Sequence, residues 1–138
     1  MTIIAYRNKE LAADTLVVFG TLKCYNTTKI IKANNILAGA AGDNIYCLEF
    51  LDWASKGCIG KPPKTKDDQG LVVTANGEIR IYYSDKFDIV QDDYVAIGSG
   101  CDVALGALYM GANSYNACLA AMNHVSSCGG KVELLTLE

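Results

Sequence analysis

Apolar positions come first in short runs broken by polar turns, and later in runs with a helical period. Ile3 to Tyr6 and Leu11 to Ala13 are two apolar runs separated by Arg7-Asn8-Lys9-Glu10, a polar connection of hairpin length. Leu16 to Phe19 continues apolar until Gly20 interrupts it. Lys29-Ile30-Ile31-Lys32 and Ile36-Leu37-Ala38, joined through Asn34-Asn35, predict a second pair of strands, and Gly39-Ala40-Ala41-Gly42 supplies small residues where backbone must approach a neighbour closely. Asp43 or Asn44 then caps a helix that runs to about Lys56 and stops at Gly57. Its polar side is only the stripe Glu49, Asp52, Lys56, so the helix is predicted to be buried on more than one side. The Asp52/Lys56 pair at i,i+4 contributes about 0.3 kcal/mol, which leaves packing to hold the helix.

Lys61 to Gly70 carries both prolines and reads as a loop. Leu71 to Thr74 and Glu78 to Tyr83 flank Asn76-Gly77, the dipeptide of a type I′ hairpin turn. Tyr94 to Ile97 predicts a buried strand ending in Gly98-Ser99-Gly100, and residues 101 to 110 a helix with Gly111 after it. Ser114 is the predicted cap of a last helix with Tyr115, Cys118, Leu119, Met122 and Val125 as its apolar stripe, and Cys128-Gly129-Gly130 separates it from a closing strand, Val132 to Leu137. Strands and helices each come in runs, an α+β order rather than alternating βαβ. Two stacked antiparallel sheets with helices outside, a four-layer αββα sandwich in one domain over residues 1–138, satisfy that order.

Composition narrows the function. Half of the residues, 51%, are hydrophobic and 20% are charged, so part of the apparent surface is expected to lie against other subunits. A net charge of −3 without a Lys/Arg cluster argues against nucleic acid. Neither a stretch of membrane-span length nor a secretory signal is visible, which points to a cytoplasmic protein. Six cysteines, at 24, 47, 58, 101, 118 and 128, never form CxxC and read as reduced, buried small hydrophobes, with no metal and no cofactor expected. His124, the single histidine, falls near the apolar helix stripe and is read as structural, which removes any Ser-His-Asp arrangement. Gly98-Ser99-Gly100 fits a tight turn or an anion site at a helix N-terminus, but not a dinucleotide fingerprint, because the third glycine of that spacing is missing.

Met1-Thr2 is the chemically richest pair. With Met1 removed, Thr2 carries a hydroxyl and a free α-amine on one residue, a nucleophile with its own base. Asp14 and Lys29, read alone, fit equally an ordinary surface ion pair worth about 0–1 kcal/mol.

Four stretches in order resemble the proteasome β subunits and the bacterial HslV peptidase, among the N-terminal-nucleophile hydrolases. They are Thr2-Ile3-Ile4-Ala5-Tyr6-Arg7 with Ala12-Ala13-Asp14; Thr28-Lys29-Ile30 with Leu37-Ala38-Gly39-Ala40-Ala41-Gly42-Asp43; Val95-Ala96-Ile97-Gly98-Ser99-Gly100; and Cys128-Gly129-Gly130-Lys131-Val132-Glu133-Leu134. The resemblance implies a threonine-type peptidase. Thr2 would attack the peptide carbonyl while its amine, with an ordinary pKa of about 7.7–8.0, takes the proton. Lys29 would keep that amine neutral by charge repulsion, and Asp14 would pair with Lys29. Gly39 would donate its N–H to the oxyanion, a donor worth about 10²–10³ in rate. Ser99 would hydrogen-bond around the amine, and Leu37 and Ala41 would line the pocket for the substrate side chain. A homo-oligomeric ring, a ring ATPase unfoldase and unfolded protein or peptide as substrate are implied as well.

The chain departs from the family pattern in three places. Its first hairpin is shorter, which leaves two registers open: gapped, Thr2 takes the nucleophile position; ungapped, Met1 falls there and the chain is a non-catalytic subunit with an assembly role. A small-amide hydrolase of the same fold is a third reading. The aspartate and serine that precede the Gly-Gly turn in relatives correspond here to Val125 and Cys128. Residues 57–70 stand where relatives carry a second long helix, a trimming that suggests a viral or phage gene and, with it, a host cytoplasm.

Overall fold

The computed structural model describes residues 2–138. Eleven strands and three helices are found among the described residues. The chain opens with β1 (Ile4–Arg7), β2 (Glu10–Asp14), β3 (Val17–Phe19) and β4 (Leu22–Cys24), followed by β5 (Ile30–Ala33), β6 (Ile36–Ala41) and α1 (Asn44–Ser55). Then come β7 (Gln69–Val73), β8 (Ile79–Tyr83), β9 (Lys86–Val90), β10 (Tyr94–Ile97), α2 (Cys101–Tyr109), α3 (Ser114–His124) and β11 (Val132–Thr136).

Three apolar clusters separate the layers. One antiparallel sheet runs β10, β1, β2, β11 and another runs β5, β6, β7, β8, β9, while β3 and β4 form a separate hairpin. Strand residues alternate between faces. Ile4, Tyr6, Leu11 and Ala13 from the first sheet meet Leu37, Ala41, Leu71, Val73, Ile79 and Ile81 from the second, and these form the core between the sheets. The opposite parity on the first sheet, Ile3, Ala5 and Ala12, is covered by Ala104 and Leu108 of α2 and by Ala117, Cys118 and Ala121 of α3. On the second sheet Ala38, Ala40, Val72 and Tyr82 are covered by Tyr46, Phe50, Leu51 and Ala54 of α1. The result is the four-layer αββα sandwich that the order of elements predicts.

Several local expectations change. The type I′ turns fall at Asn8-Lys9 (φ 52° and 67°) and Asn34-Asn35 (φ 51° and 62°), where two residues join directly paired strands. At Asn76-Gly77 only Gly77 has a positive φ, 89°; Gly77 N–H reaches Thr74 O at 2.9 Å and Thr74 N–H reaches Glu78 O at 2.9 Å, a three-residue loop. Asp43 caps α1 through Oδ1, 2.9 Å from Ile45 N, but α3 is capped by Asn113, whose side chain takes Asn116 N–H at 2.8 Å, and Ser114 is its first residue. The buried side of α3 is made of Ser114, Ala117, Cys118 and Ala121, while Tyr115 is exposed, because only small residues let α3 lie flat on the sheet. His124 ends α3 exposed rather than packed. Only Cys118 and Cys128 are fully buried among the cysteines. Helix α1 is buried on one side only: Ile45 and Leu48 are 65% and 60% exposed. Strands β4 and β9 lie outside the predicted elements although both alternate apolar and polar residues, and their apolar side chains Leu22, Phe87 and Ile89 remain exposed.

The Arg7 guanidinium, which carries no sequence signal, ties the layers together. Its Nη1 donates to the carbonyls of Leu108 at 2.6 Å and Ala112 at 2.9 Å, at the C-terminal end of α2. A cation there is favoured by the negative end of the helix dipole, and it shares the Leu108 carbonyl with Gly111 N–H at 3.0 Å.

Candidate active site

The N-terminal segment enters the site because its backbone is fastened at both ends of Thr2 and Ile3. Thr2 N–H donates to Ser99 Oγ at 3.1 Å, and Gly100 N–H donates to Thr2 O at 3.1 Å. Ile3 N–H donates to Asp14 Oδ1 at 3.1 Å, and Asp14 N–H returns to Ile3 O at 3.2 Å. Gly98, with φ 99°, lies so near the Thr2 carbonyl that a Cβ there would collide with it. Thr2 is buried as a result.

Beneath this segment lies a buried ion pair. Lys29 Nζ sits 2.8 Å from Asp14 Oδ1 and 2.6 Å from the Leu16 carbonyl, and the two side chains are 5% and 0% exposed. The second Asp14 oxygen takes Gly129 N–H at 3.0 Å. Two backbone N–H groups and an ammonium therefore hold one carboxylate, which is what a buried charge requires in place of water. An exposed surface pair, the other reading of these two residues, is thereby ruled out.

A cleft of about 240 Å³ opens over Thr2 and Lys29. Val17, Val18 and Phe19 form one wall, Cys47, Leu48 and Leu51 of α1 the other, and Ala40 and Gly42 the floor. Burial, then the negative charge of Asp68, pushes the Cys47 thiol up to about 11, so it stays protonated at neutral pH.

The parity of β6 corrects three assignments. Leu37 and Ala41 face the core between the sheets and lie outside the cleft over Thr2 and Lys29, although Ala41 also lines a separate pocket with Gly42, Gly98 and Ser99. Gly39 shares that parity, and a Cβ on it would press on Ile4 and Ile30. Ala40 N–H points to Lys29 O at 3.3 Å, so by strand alternation the Gly39 N–H points the other way, into the ladder with β7, where it pairs opposite Leu71. Gly42, one residue past β6, lines the cleft instead, and its N–H donates to no acceptor among the described residues.

The structure thus brings Thr2, Asp14, Lys29 and Ser99 together, and adds Leu16, Gly42, Ser127 and Gly129, to which the motifs assign no role in the site. Ser127 Oγ lies 3.0 Å from Ser99 Oγ, while Cys128 Sγ is 4.0 Å from it. The pairing of Met1 with the nucleophile position lies outside the described residues. No helix among the described residues is long and apolar enough to cross a membrane.

Neither a protein-family model nor a curated protein sequence matches the chain. Solved structures do. Eukaryotic HslV from Trypanosoma brucei superposes with a TM-score of 0.73 at 15% identity, over 100% of this chain and 99% of that one. Thiobacillus denitrificans BPH superposes with a TM-score of 0.70 at 18% identity, over 99% of this chain and 98% of that one. The same protein in complex with epoxomicin gives 0.70 at 17%, with the same coverage. This chain has the fold of those proteins.

Proposed function

We propose that the chain is a threonine-type peptidase subunit of a self-assembling ring, with Thr2 as nucleophile once Met1 is removed. The observation that carries this reading is a buried threonine whose backbone nitrogen sits on Ser99 Oγ, above an ion pair of Lys29 and Asp14 and at the edge of a cleft. The likeness of fold to HslV and BPH supports it.

The chemistry then follows from the site. Thr2 Oγ forms a bond to the peptide carbonyl carbon as its proton passes to the α-amine. The amine must be neutral to accept it, and the Lys29 ammonium disfavours a second positive charge close by. The carbonyl oxygen becomes an oxyanion, and Gly42, which lines the cleft with Thr2 and whose N–H has no acceptor among the described residues, would replace Gly39 as its donor. Collapse breaks the C–N bond, the proton on the amine leaves with the departing nitrogen, and water later hydrolyses the Thr2 ester. Substrate side chains would rest on Ala40, Cys47, Leu48 and the β3 wall, in place of Leu37 and Ala41. Ile45, apolar and exposed on α1, supports self-association. A ring ATPase that supplies unfolded protein belongs to the same proposal on fold likeness alone.

A second reading is favoured by the ungapped alignment of the first strand: a non-catalytic subunit in which Met1 stays. Mass spectrometry of the N-terminal peptide, together with particle mass, separates the two. Thr2 as first residue, a multimeric particle and peptide turnover are expected; a retained Met1 defeats the peptidase. Epoxomicin, bound in the T. denitrificans structure, is a suitable probe, expected to bind this chain and not Thr2→Ala.

A further inference from the structure

The loop after α3 does two jobs at once. Cys128 N–H closes a turn on Val125 O at 3.0 Å, which fixes Ser127 at the turn's outer corner. One residue past Cys128, Gly129 donates its N–H to Asp14 and accepts Thr15 N–H and Leu16 N–H at 3.2 Å each. The loop is therefore anchored to the same strand end that holds the buried ion pair. From that anchored loop Ser127 presents Oγ at 3.0 Å from Ser99 Oγ.

Ser99 has a single hydroxyl proton and more neighbours than it can serve. Thr2 N lies at 3.1 Å, Thr2 O at a longer 3.5 Å, Ser127 Oγ at 3.0 Å and Cys128 Sγ at 4.0 Å. The nearest acceptor for its proton is Ser127. When Ser99 donates there, its lone pairs are left facing the Thr2 nitrogen.

We propose that Ser127 is a positioning residue of the peptidase site, orienting the Ser99 hydroxyl so that it accepts a hydrogen bond from the Thr2 α-amine. This rests on the reading of Thr2 as nucleophile. It concerns a residue one position before Cys128, which is where relatives carry their serine, so the hydroxyl has moved along the turn. An acceptor held toward the amine stabilises the ammonium formed when Oγ gives up its proton, and raises the basicity of the amine. Without Ser127 the Ser99 proton turns to the Thr2 carbonyl or to the amine lone pair, and the second arrangement withholds the base. The other charged or titratable groups facing this point are Lys29 just before β5, Asp14 from β2, Asp43 and Cys47 at α1, Asp67 from the loop before β7, which lines a pocket with Ser99, and Cys128 in the loop itself. None of them changes in a Ser127 variant.

The test compares the wild-type chain with Ser127→Ala and Ser127→Thr. Each is prepared with Thr2 as first residue by cleaving an N-terminal leader, so that processing in the cell plays no part. Two readouts are taken: peptide turnover against pH, and the rate at which a limiting acylating reagent labels the Thr2 amine against pH. Ser127→Ala is expected to lower kcat about five- to tenfold with KM within about twofold, the size of one lost hydrogen bond. It should also move the midpoint of amine labelling to lower pH by about half a unit, and Ser127→Thr, which keeps the hydroxyl, should restore both. An unchanged labelling midpoint in Ser127→Ala, or a Ser127→Thr variant as impaired as Ser127→Ala, overturns the proposal. A wild-type chain without turnover whose labelling midpoint still moves in Ser127→Ala defeats the peptidase and leaves the orientation of Ser99 standing.

Discussion

Lys29 and Asp14 meet at 2.8 Å, Lys29 almost and Asp14 wholly out of solvent, 15 residues apart in the chain, Asp14 at the end of β2 in one sheet and Lys29 just before β5 of the other. Their contact joins the sheet that carries Thr2 to the sheet that floors the cleft, so the same pair serves the packing and the chemistry.

Breaking that pair is therefore expected to cost more than an exposed pair would. Asp14→Ala leaves an ammonium buried without its carboxylate and strips Ile3 and Gly129 of their acceptor. A loss of about 3–5 kcal/mol is expected, measured by denaturant unfolding with a midpoint shift at unchanged slope. A loss below 1 kcal/mol would mean that the pair is solvated in solution.

Thr2→Ala separates fold from chemistry. The side chain lost is small and lies at the cleft edge, so the circular dichroism spectrum and melting temperature should stay within a few degrees while peptide turnover disappears. Turnover that survives the change would remove Thr2 as nucleophile.

Two glycines give opposite outcomes. Gly98→Ala would collide with the Thr2 carbonyl at a φ of 99°, so the N-terminal segment must move, with loss of both stability and turnover. Gly106 lies within α2 with open space where a Cβ would go, and Gly106→Ala should raise stability by about 0.5–1 kcal/mol. Thermal melts of the two variants beside the wild type read both signs directly.

Alkaline pH should weaken the fold through Cys118. Burial, and next the negative charge of Asp14, pushes this thiol up to about 12 from an ordinary 9.0. The unfolded chain gives up that proton first, so the folded state binds more protons and stability falls as pH rises from about 9 toward 12. The slope approaches about 1.4 kcal/mol per pH unit for this one thiol. Urea unfolding between pH 8 and 11 should show the decline, and Cys118→Ala should make it shallower, with Cys47 and the other raised thiols carrying the remainder. An equal slope in both proteins would assign the effect to other groups.

Much of the architecture is readable from local pattern. Short apolar runs bounded by turns mark β1, β2, β5 and β6, alternation marks β8, Asp43 and Gly57 bound α1, and the glycine-rich 98–100 segment separates β10 from α2, because these signals depend on neighbours within a few residues. The residues Thr2, Asp14, Lys29 and Ser99 stand out through resemblance. What the chain could not reveal by itself is which face of β6 opens to solvent. That depends on α1 and β3 closing over Ala40 and Gly42 while β1 buries the face of Leu37, Gly39 and Ala41. It also could not reveal that Ser127 reaches Ser99 across 28 positions at 3.0 Å while Cys128 Sγ stays at 4.0 Å, since a turn of four residues decides that only when Gly129 is fastened to Asp14. Local order follows from side-chain period and turn chemistry. Strand parity toward a cleft and the meeting of distant hydroxyls follow from packing, which no short window of sequence contains.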